Sequence, residues 1–493
     1  MDVVQQQPHV PVIEHLVEHL KHQIDQGLLK PGQRLPSIRR LVASQSVSFH
    51  TVVSAYERLE AYGLISAQPG RGYFVTTRTS SPSAGQCKPW VRTDDPHGLK
   101  AFWRLFHGND HCMKLGCGWL PAGWRDTQAL ARVIRRTANF AHSSLVEYGD
   151  PAGYLPLRQT LADYLSPRLG VGLGPDYLLT TLGATQALDL VIRLIIEPGD
   201  RVLVDDPCNS NLVQLLRLRG AQVVGITRRS DGPDIEQVTQ VLAAGTVKAF
   251  FINSRLHNPT GTSLSPHNAF QLLQLAYAHD MNIVEDDVYG DFCSAPDHRL
   301  VTLDGLRKVI YISSFSKSLS ANLRVGYIAA PPDLIARLAD LKLLTSVSVP
   351  SFCERFISAI LLDGSYDRHL LAVRRNLQTA QAVAQASFKR WGWELFHPVK
   401  EGMFIWVRHP RLASLEALVN AAFERDILLA PGVLFSADGQ PVPWLRINVA
   451  HLDVDKARGA AGAPRRAARQ RAVTVLTKDN ALSVVIHFQS LLA

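Results

Sequence analysis

Four short segments carry residues whose types and spacing could do chemistry. Lys317 sits in Ser313-Ser314-Phe315-Ser316-Lys317, directly after the β-branched run Val309-Ile310-Tyr311-Ile312. Asp286 follows Ile283-Val284-Glu285, and Asn258-Pro259-Thr260-Gly261 follows the run ending at Ile252. Gly183-Ala184-Thr185-Gln186 precedes a helical pattern starting near Ala187. Each is weak by itself: a lysine after a strand is usually at the surface, and Asn-Pro-x-Gly is usually only a turn. Together, an amine, a buried acid, an amide turn and a small-residue helix start suit an anionic aldehyde cofactor. The amine can condense with an aldehyde, and a helix start can hold a phosphate.

The elements that must position them read as an α/β domain. Val202-Leu203-Val204, Ala249 to Ile252, Ile283 to Glu285, Val309 to Ile312 and Val325 to Ile328 alternate with helical patterns between about residues 99 and 455. Such alternation implies a mostly parallel sheet, and such sheets bind ligands at the carboxyl ends of their strands. The four segments fall there.

In that order and spacing, the set closely resembles the fold-type I aminotransferases that use pyridoxal 5′-phosphate. The resemblance implies a role for each residue. Lys317 carries the cofactor as a Schiff base, and Asp286 sits against the pyridine nitrogen and keeps it protonated. Asn258 and Tyr289 hydrogen-bond the ring hydroxyl oxygen. Gly183, Ala184 and Thr185 hold the phosphate, completed by Ser314 and Arg324. Tyr148, in Tyr148-Gly149-Asp150-Pro151-Ala152-Gly153, is similar to the tyrosine that reaches the partner subunit's phosphate. Arg446, in Trp444-Leu445-Arg446-Ile447, is similar to the arginine that binds a substrate or effector carboxylate; a surface salt bridge is the plain alternative. One departure stands out. Asn209, in Asp205-Asp206-Pro207-Cys208-Asn209, occupies the usual place of a tyrosine stacked on the cofactor ring, and an amide lacks its area and quadrupole.

Residues 10–76 read differently. Ile13, Leu16, Val17, Leu20 and Ile24 form one apolar stripe that Gly27 ends. A second helix opens at Pro36-Ser37, with Ile38, Leu41 and Val42 inward. Ser48 is an N-cap for a third, with Val52, Val53, Tyr56 and Leu59 on one face. Leu64-Ile65-Ser66 and Tyr73-Phe74-Val75 flank a Gly70-Arg71-Gly72 turn. Three helices and a hairpin make a winged helix-turn-helix. Its third helix leads into the major groove with Ser48, Phe49, His50 and Thr51. Arg39 and Arg40 can meet phosphate, and Arg71 at the wing tip can reach a minor groove. A helical protein-interaction module would share the pattern. The run Gly32 to Arg39, with Val47-Ser48, Thr51-Val52, Ala55-Tyr56, Gly63-Leu64-Ile65 and Gly70-Arg71-Gly72, closely resembles the GntR-type DNA-binding domain. Phe49 departs from it, standing where that family usually has a basic or polar residue. A ring can touch a thymine methyl but cannot hydrogen-bond guanine.

Joined, the two halves resemble the MocR/GabR group of bacterial regulators over roughly residues 10–452. The expected organisation is a DNA-binding domain at 10–76, a flexible linker at 77–98, an aminotransferase-like domain at 99–455 and a divergent basic tail at 456–493. The expected partners are an operator duplex, an amino compound or pyridoxal phosphate as effector, and a second copy in a domain-swapped homodimer. A working aminotransferase with an attached DNA-binding domain, and a DNA-binding dimer with a decayed cofactor site, are the competing functions.

Composition bounds these readings. The 493 residues, 46% hydrophobic and 19% charged, are a globular profile of several domains. Net charge is poor support for DNA binding by the folded body. Seven of the nine net positive charges come from Lys456, Arg458, Arg465, Arg466, Arg469, Arg471 and Lys478, in a window without Asp or Glu. No apolar run reaches ~18 residues, and Met1 to Leu16 lacks the basic-then-apolar pattern of a signal peptide. Six cysteines without framework spacing suit a reducing cytoplasm. His107, His111, Cys112 and Cys117 cluster in sequence, but their spacing fits no common zinc finger; ordinary structural roles are expected and no metal.

Overall fold

The computed structural model describes residues 12–25, 28–45, 47–68, 71–76, 105, 112–125, 127–138, 146–294 and 299–452. The linker, the basic tail, His107, His111, Gly27 and Gly70 lie outside them. Two compact units divide the chain, residues 1–94 and 95–493.

The smaller unit holds α1 (Val12–Asp25), α2 (Ile38–Gln45), α3 (Phe49–Ala61) and a hairpin of β1 (Ile65–Gln68) and β2 (Gly72–Val75). Its core is the apolar stripe of α1 packed on Val52, Ala55, Tyr56 and Leu59 of α3, closed by Ile65 and Val75 of the hairpin. Val53 is only half-buried, a correction to the expected face. The positions that turn inward are 52, 55, 56 and 59, the i, i+3, i+4, i+7 pattern, and 53 falls beside them. Ser48 caps α3 by accepting the Thr51 N–H at 3.1 Å. Tyr56 reaches out of the core to donate to Pro36 O at 2.7 Å, pinning the entry to α2.

The larger unit is built on an eight-stranded sheet ordered β3-β10-β9-β8-β7-β4-β5-β6. Its strands are β3 (Leu178–Thr181), β4 (Arg201–Asp206), β5 (Gln222–Arg229), β6 (Gly232–Pro233), β7 (Ala249–Ile252), β8 (Asn282–Asp286), β9 (Val309–Ser314) and β10 (Gly326–Ala329). The central run β5, β4, β7, β8, β9 is parallel, and β10 runs antiparallel between β9 and β3. Buried Val, Ile, Leu and Phe on both faces explain the near-continuous hydrophobic strands, since helices cover the sheet on either side. The strand expected from Val325 begins at Gly326, and the helix expected near Ala187 begins at Ala184.

A second sheet of β11 (Glu394–Leu395), β12 (Phe404–Arg408), β13 (Ala430–Pro431) and β14 (Leu445–Asn448) is antiparallel, ordered β11-β12-β14-β13. The long helix Ser365–Arg390 packs on it through Val373, Leu377, Ala384 and Phe388. No helix among the described residues is long and apolar enough to cross a membrane.

Leu59 is fully buried between α1 and α3. Leu59→Ala is expected to destabilise the small unit by about 2–5 kcal/mol. Thermal melts should register that loss as an earlier transition of the small unit, with the transition of the larger unit unmoved.

Candidate functional site

The carboxyl ends of β7, β8 and β9 open onto one cavity of about 260 Å³, lined among others by Asn258, Asp286, Tyr289, Ser314, Lys317, Arg324 and Arg446. Parallel register brings these together from segments far apart in sequence. Asp286 is the last residue of β8, and Lys317 stands in the short helix Phe315–Ser318 that β9 runs into.

Lys317 is half-buried in the cavity wall. Burial, then the nearby Arg446 guanidinium, lower its ammonium to about 8. Asp286 is pushed up to about 7, chiefly by burial; its Oδ1 accepts from the Val288 N–H at 3.3 Å. Gly118 lies beside the amine: a β-carbon there would sit in van der Waals contact, 3.5 Å from Lys317 Nζ and 3.9 Å from Arg446 Nη2.

Arg446, on β14, is 5% exposed, which removes the surface salt bridge as an alternative. Its Nη1 donates to Asn258 Oδ1 at 2.7 Å and its Nη2 to Gly116 O at 2.6 Å. Phe404 and Phe435 lie 4.6 and 4.7 Å from the guanidinium carbon. It meets no carboxylate among the described residues, and its Nε has no partner. Asn258 Oδ1 is engaged by Arg446, which leaves Nδ2 to donate into the cavity. Tyr289 is buried edge-on to Phe404, and burial raises its hydroxyl pKa.

The helix start fits a phosphate. Gly183, at φ +79°, caps the helix Ala184–Ile195, and Ala184 and Thr185 line the cavity. Arg324 folds over this start: Nη2 donates to Leu182 O at 2.8 Å and Nη1 to Ser316 Oγ at 3.4 Å. A β-carbon on Gly183 would stand 2.8 Å from Arg324 Nη2, and one on Gly326 would stand 2.8 Å from Gly183 Cα. Ser314 Oγ accepts the Ser316 N–H at 3.1 Å and donates to Val325 O at 3.0 Å. Its hydroxyl thus shapes the turn, while Ser316 is the serine beside Arg324.

Two expected residues stand elsewhere. Tyr148 is 87% exposed and does not line the cavity of its own chain. Asn209 does line it, but its side chain accepts the Asn211 N–H at 3.2 Å and so caps the helix Ser210–Leu218. Sequence reasoning missed Asn253, whose Nδ2 donates to Asp286 O at 2.6 Å and whose Oδ1 accepts the Asn258 N–H at 2.8 Å. It also missed the buried Asp205–Arg228 pair (3.2 Å) with His257 against it, kept neutral by burial. A histidine beside the Asn-Pro turn was the one available signal.

In the small unit, Arg39, Arg40, Ser48, Phe49, His50 and Arg71 are exposed. Phe49 is 57% exposed at the start of α3. Thr51 is half-buried, its hydroxyl 2.8 Å from Ser48 Oγ, and so belongs to the cap more than to the outer face. The Arg71 guanidinium stacks 5.6 Å from the Phe74 ring. The described residues contain no His, Cys, Asp and Glu group that could hold a metal ion.

One pH effect and one steric effect follow. At pH 7 an amine with a pKa of about 8 is neutral in roughly one molecule in ten. Capture of pyridoxal phosphate, followed by stopped-flow absorbance, should therefore quicken as pH rises through about 7–8, as Asp286 ionises and Lys317 loses its proton. Gly183→Ala should weaken pyridoxal phosphate at least about tenfold by displacing Arg324, whose guanidinium suits a charge-assisted bond to phosphate. Reaction with pyridoxal, which lacks the phosphate, should change little.

Comparison with known proteins matches this geometry. Residues 110–463 match the family of class I and II aminotransferases, and residues 12–75 match the gntR family of bacterial regulatory proteins. The first match runs past Leu452, where the resemblance was expected to stop. The chain is 31% identical over 445 residues to the uncharacterised HTH-type transcriptional regulator YdcR of Escherichia coli, covering 89% of this chain and 94% of that one. It is 27% identical to the probable rhizopine catabolism regulatory protein MocR of Rhizobium meliloti, covering 87% and 88%. The α-aminoadipate aminotransferase LysN of Thermus thermophilus, solved with N-(5′-phosphopyridoxyl)-L-leucine, superposes with a TM-score of 0.68 at 25% identity, over 80% of this chain and 95% of LysN. The chain therefore belongs to the MocR/GabR subgroup of GntR-type transcription regulators, DNA-binding proteins that carry pyridoxal 5′-phosphate in an aminotransferase-like domain.

Proposed function

We propose that the cofactor cavity is the sensing half of a cytoplasmic regulator, and that it reports an amino compound or pyridoxal phosphate itself to the DNA-binding half. The observation that carries this is Arg446: a buried guanidinium that meets no carboxylate among the described residues, in the cavity that Lys317 also lines. Such a charge is costly to bury unpaired, and an effector carboxylate would relieve it.

Bound pyridoxal phosphate supplies an aldehyde carbon and an electron-withdrawing ring. Lys317 Nζ would hold that carbon. Asp286 would keep a proton on the ring nitrogen, and Asn258 Nδ2 and Tyr289 would donate to the ring oxygen. Ala184 and Thr185 would meet the phosphate at the helix start, with Arg324 and the serines of the Lys317 turn beside it. Exposed Tyr148 would reach the partner's phosphate in a domain-swapped homodimer. Lys317 and Arg446 would place two cations on one cavity wall, and an effector carboxylate held by Arg446 would lower their repulsion and favour one position of β14 and the small sheet. Signalling requires that the two shapes bind effector with different affinity. On the DNA side, Arg39, Arg40 and Arg71 would meet phosphate, while Ser48, Phe49, His50 and Thr51 enter the major groove.

A decayed site is disfavoured, because the amine, acid, amide and arginine still share one cavity. Asn209 tunes the site instead. Asn209→Tyr should tighten pyridoxal phosphate about two- to tenfold through ring stacking, yet lower stability by about 1 kcal/mol through loss of the helix cap. Paired absorbance titrations and melts would separate the two effects.

The direct test is the visible spectrum of the purified protein before and after borohydride, with the reduced adduct mapped. A yellow protein with its adduct on Lys317, lost in Lys317→Ala, is expected. Amines should then change its DNA footprint. A footprint indifferent to every amine and to pyridoxal phosphate would overturn the sensing role, and steady keto-acid production would instead favour a working aminotransferase.

A further inference from the structure

A second cavity, of about 430 Å³, shares no wall residue with the cofactor site. It lies where the helix Thr127–Thr137 and the helix Ser351–Leu362 meet the first turns of the long helix Ser365–Arg390. Arg125, Arg132, Arg368 and His369 line it, and no Asp or Glu does among the described residues. Arg125 is the unusual member. Its Nε and Nη2 are cut off from solvent without a hydrogen-bond partner, and burial lowers its pKa with no carboxylate opposing the shift. Arg368 is partly used, donating to Asp363 O and Ser365 Oγ. Two described acids nearby are engaged: Asp363 with Arg136 and Asp367 with Arg168. A guanidinium with two donors unmet by the described residues, in a cavity whose described walls carry no acid, is a costly arrangement unless an anion completes it.

We propose that this cavity binds a small oxyanion, a carboxylate- or phosphate-bearing metabolite, on the guanidinium of Arg125, with Arg132 and Arg368 adding positive potential. A planar guanidinium matches such an anion bidentately. The cavity also touches the machinery of Lys317. Its wall includes Leu319, and wall residue His369 donates through Nε2 to Ser318 O at 2.8 Å, one residue past Lys317. Tyr366 and Ser318 join their hydroxyls at 2.5 Å on the same turn. An occupant that shifts His369 or Leu319 therefore moves the backbone that aims Lys317, and the two ligands become linked. Binding rests on the cavity's own geometry; only this linkage rests on the cofactor reading.

The test uses the full chain, loaded with pyridoxal phosphate and reduced with borohydride, so that the cofactor's phosphate cradle is filled. Calorimetric titration with inorganic phosphate and with succinate should show saturable binding that Arg125→Gln weakens at least about tenfold. Should that variant fold poorly, Arg125→Lys keeps the charge, loses the fork, and should bind several-fold more weakly than the parent. Whichever probe binds more tightly names the source as phosphate or carboxylate. Saturable binding unchanged in both variants, or none in the parent, overturns the site. No binding together with faster dimer dissociation of Arg125→Gln would assign the cavity to a partner subunit and equally overturn it. In unreduced protein, the same anions should move the pH midpoint of the visible band in the parent and not in Arg125→Gln. Normal binding with an unmoved midpoint would overturn the linkage alone.

Discussion

The geometry of the Lys317 cavity depends on the contact of Gly183 with Gly326 and Arg324. A β-carbon on either glycine would intrude on backbone or guanidinium at about 2.8 Å. That approach lets β10 lie antiparallel between β3 and β9, and it sets Arg324 over the start of the helix Ala184–Ile195. Ser316, Ser314 and the Lys317 turn then follow from Arg324 and from the Phe315 N–H bonded to Val325 O. The start of the helix Ala184–Ile195 and the Lys317 turn are thus fixed by one patch of bare backbone.

Opposed to this rigid patch is a polar arrangement that costs energy. Asp286, Lys317 and Arg446 share a cavity in which burial pushes the acid up and both cations down. Each shift says that the charged form is held against its solvation preference. The surrounding fold holds the arrangement through Asn253, Asn258 and the two phenylalanines against Arg446. A site kept out of balance without ligand is one that a ligand can alter.

Much of this was legible in the sequence, for a physical reason. Strand ends, a glycine at a helix start and a serine cap are local features, set by β-branched runs, backbone freedom and short hydrogen bonds. Hence Asp286, Lys317, Gly183 and the cap at Ser48 could be placed from neighbours alone. What escaped was long-range or rotational. Nothing near Arg446 announces Phe404, Phe435 or the Gly116 carbonyl. Nothing near Asn253 announces that it ties two strand ends together. Val53 was misplaced because a one-residue rotation separates it from the face that Ala55 completes.

Arg446 also orders events in time. Its guanidinium joins Gly116 O and Asn258 Oδ1, groups 330 and 188 residues earlier in the chain. During synthesis the central strands, with Asp286 and Lys317, leave the ribosome well before β14 does. For that interval a nascent chain owns the acid and the amine but not the guanidinium that closes the cavity above them. The cavity is therefore complete only once β14 has been made, and a chain stalled before β14 would carry the amine without the guanidinium.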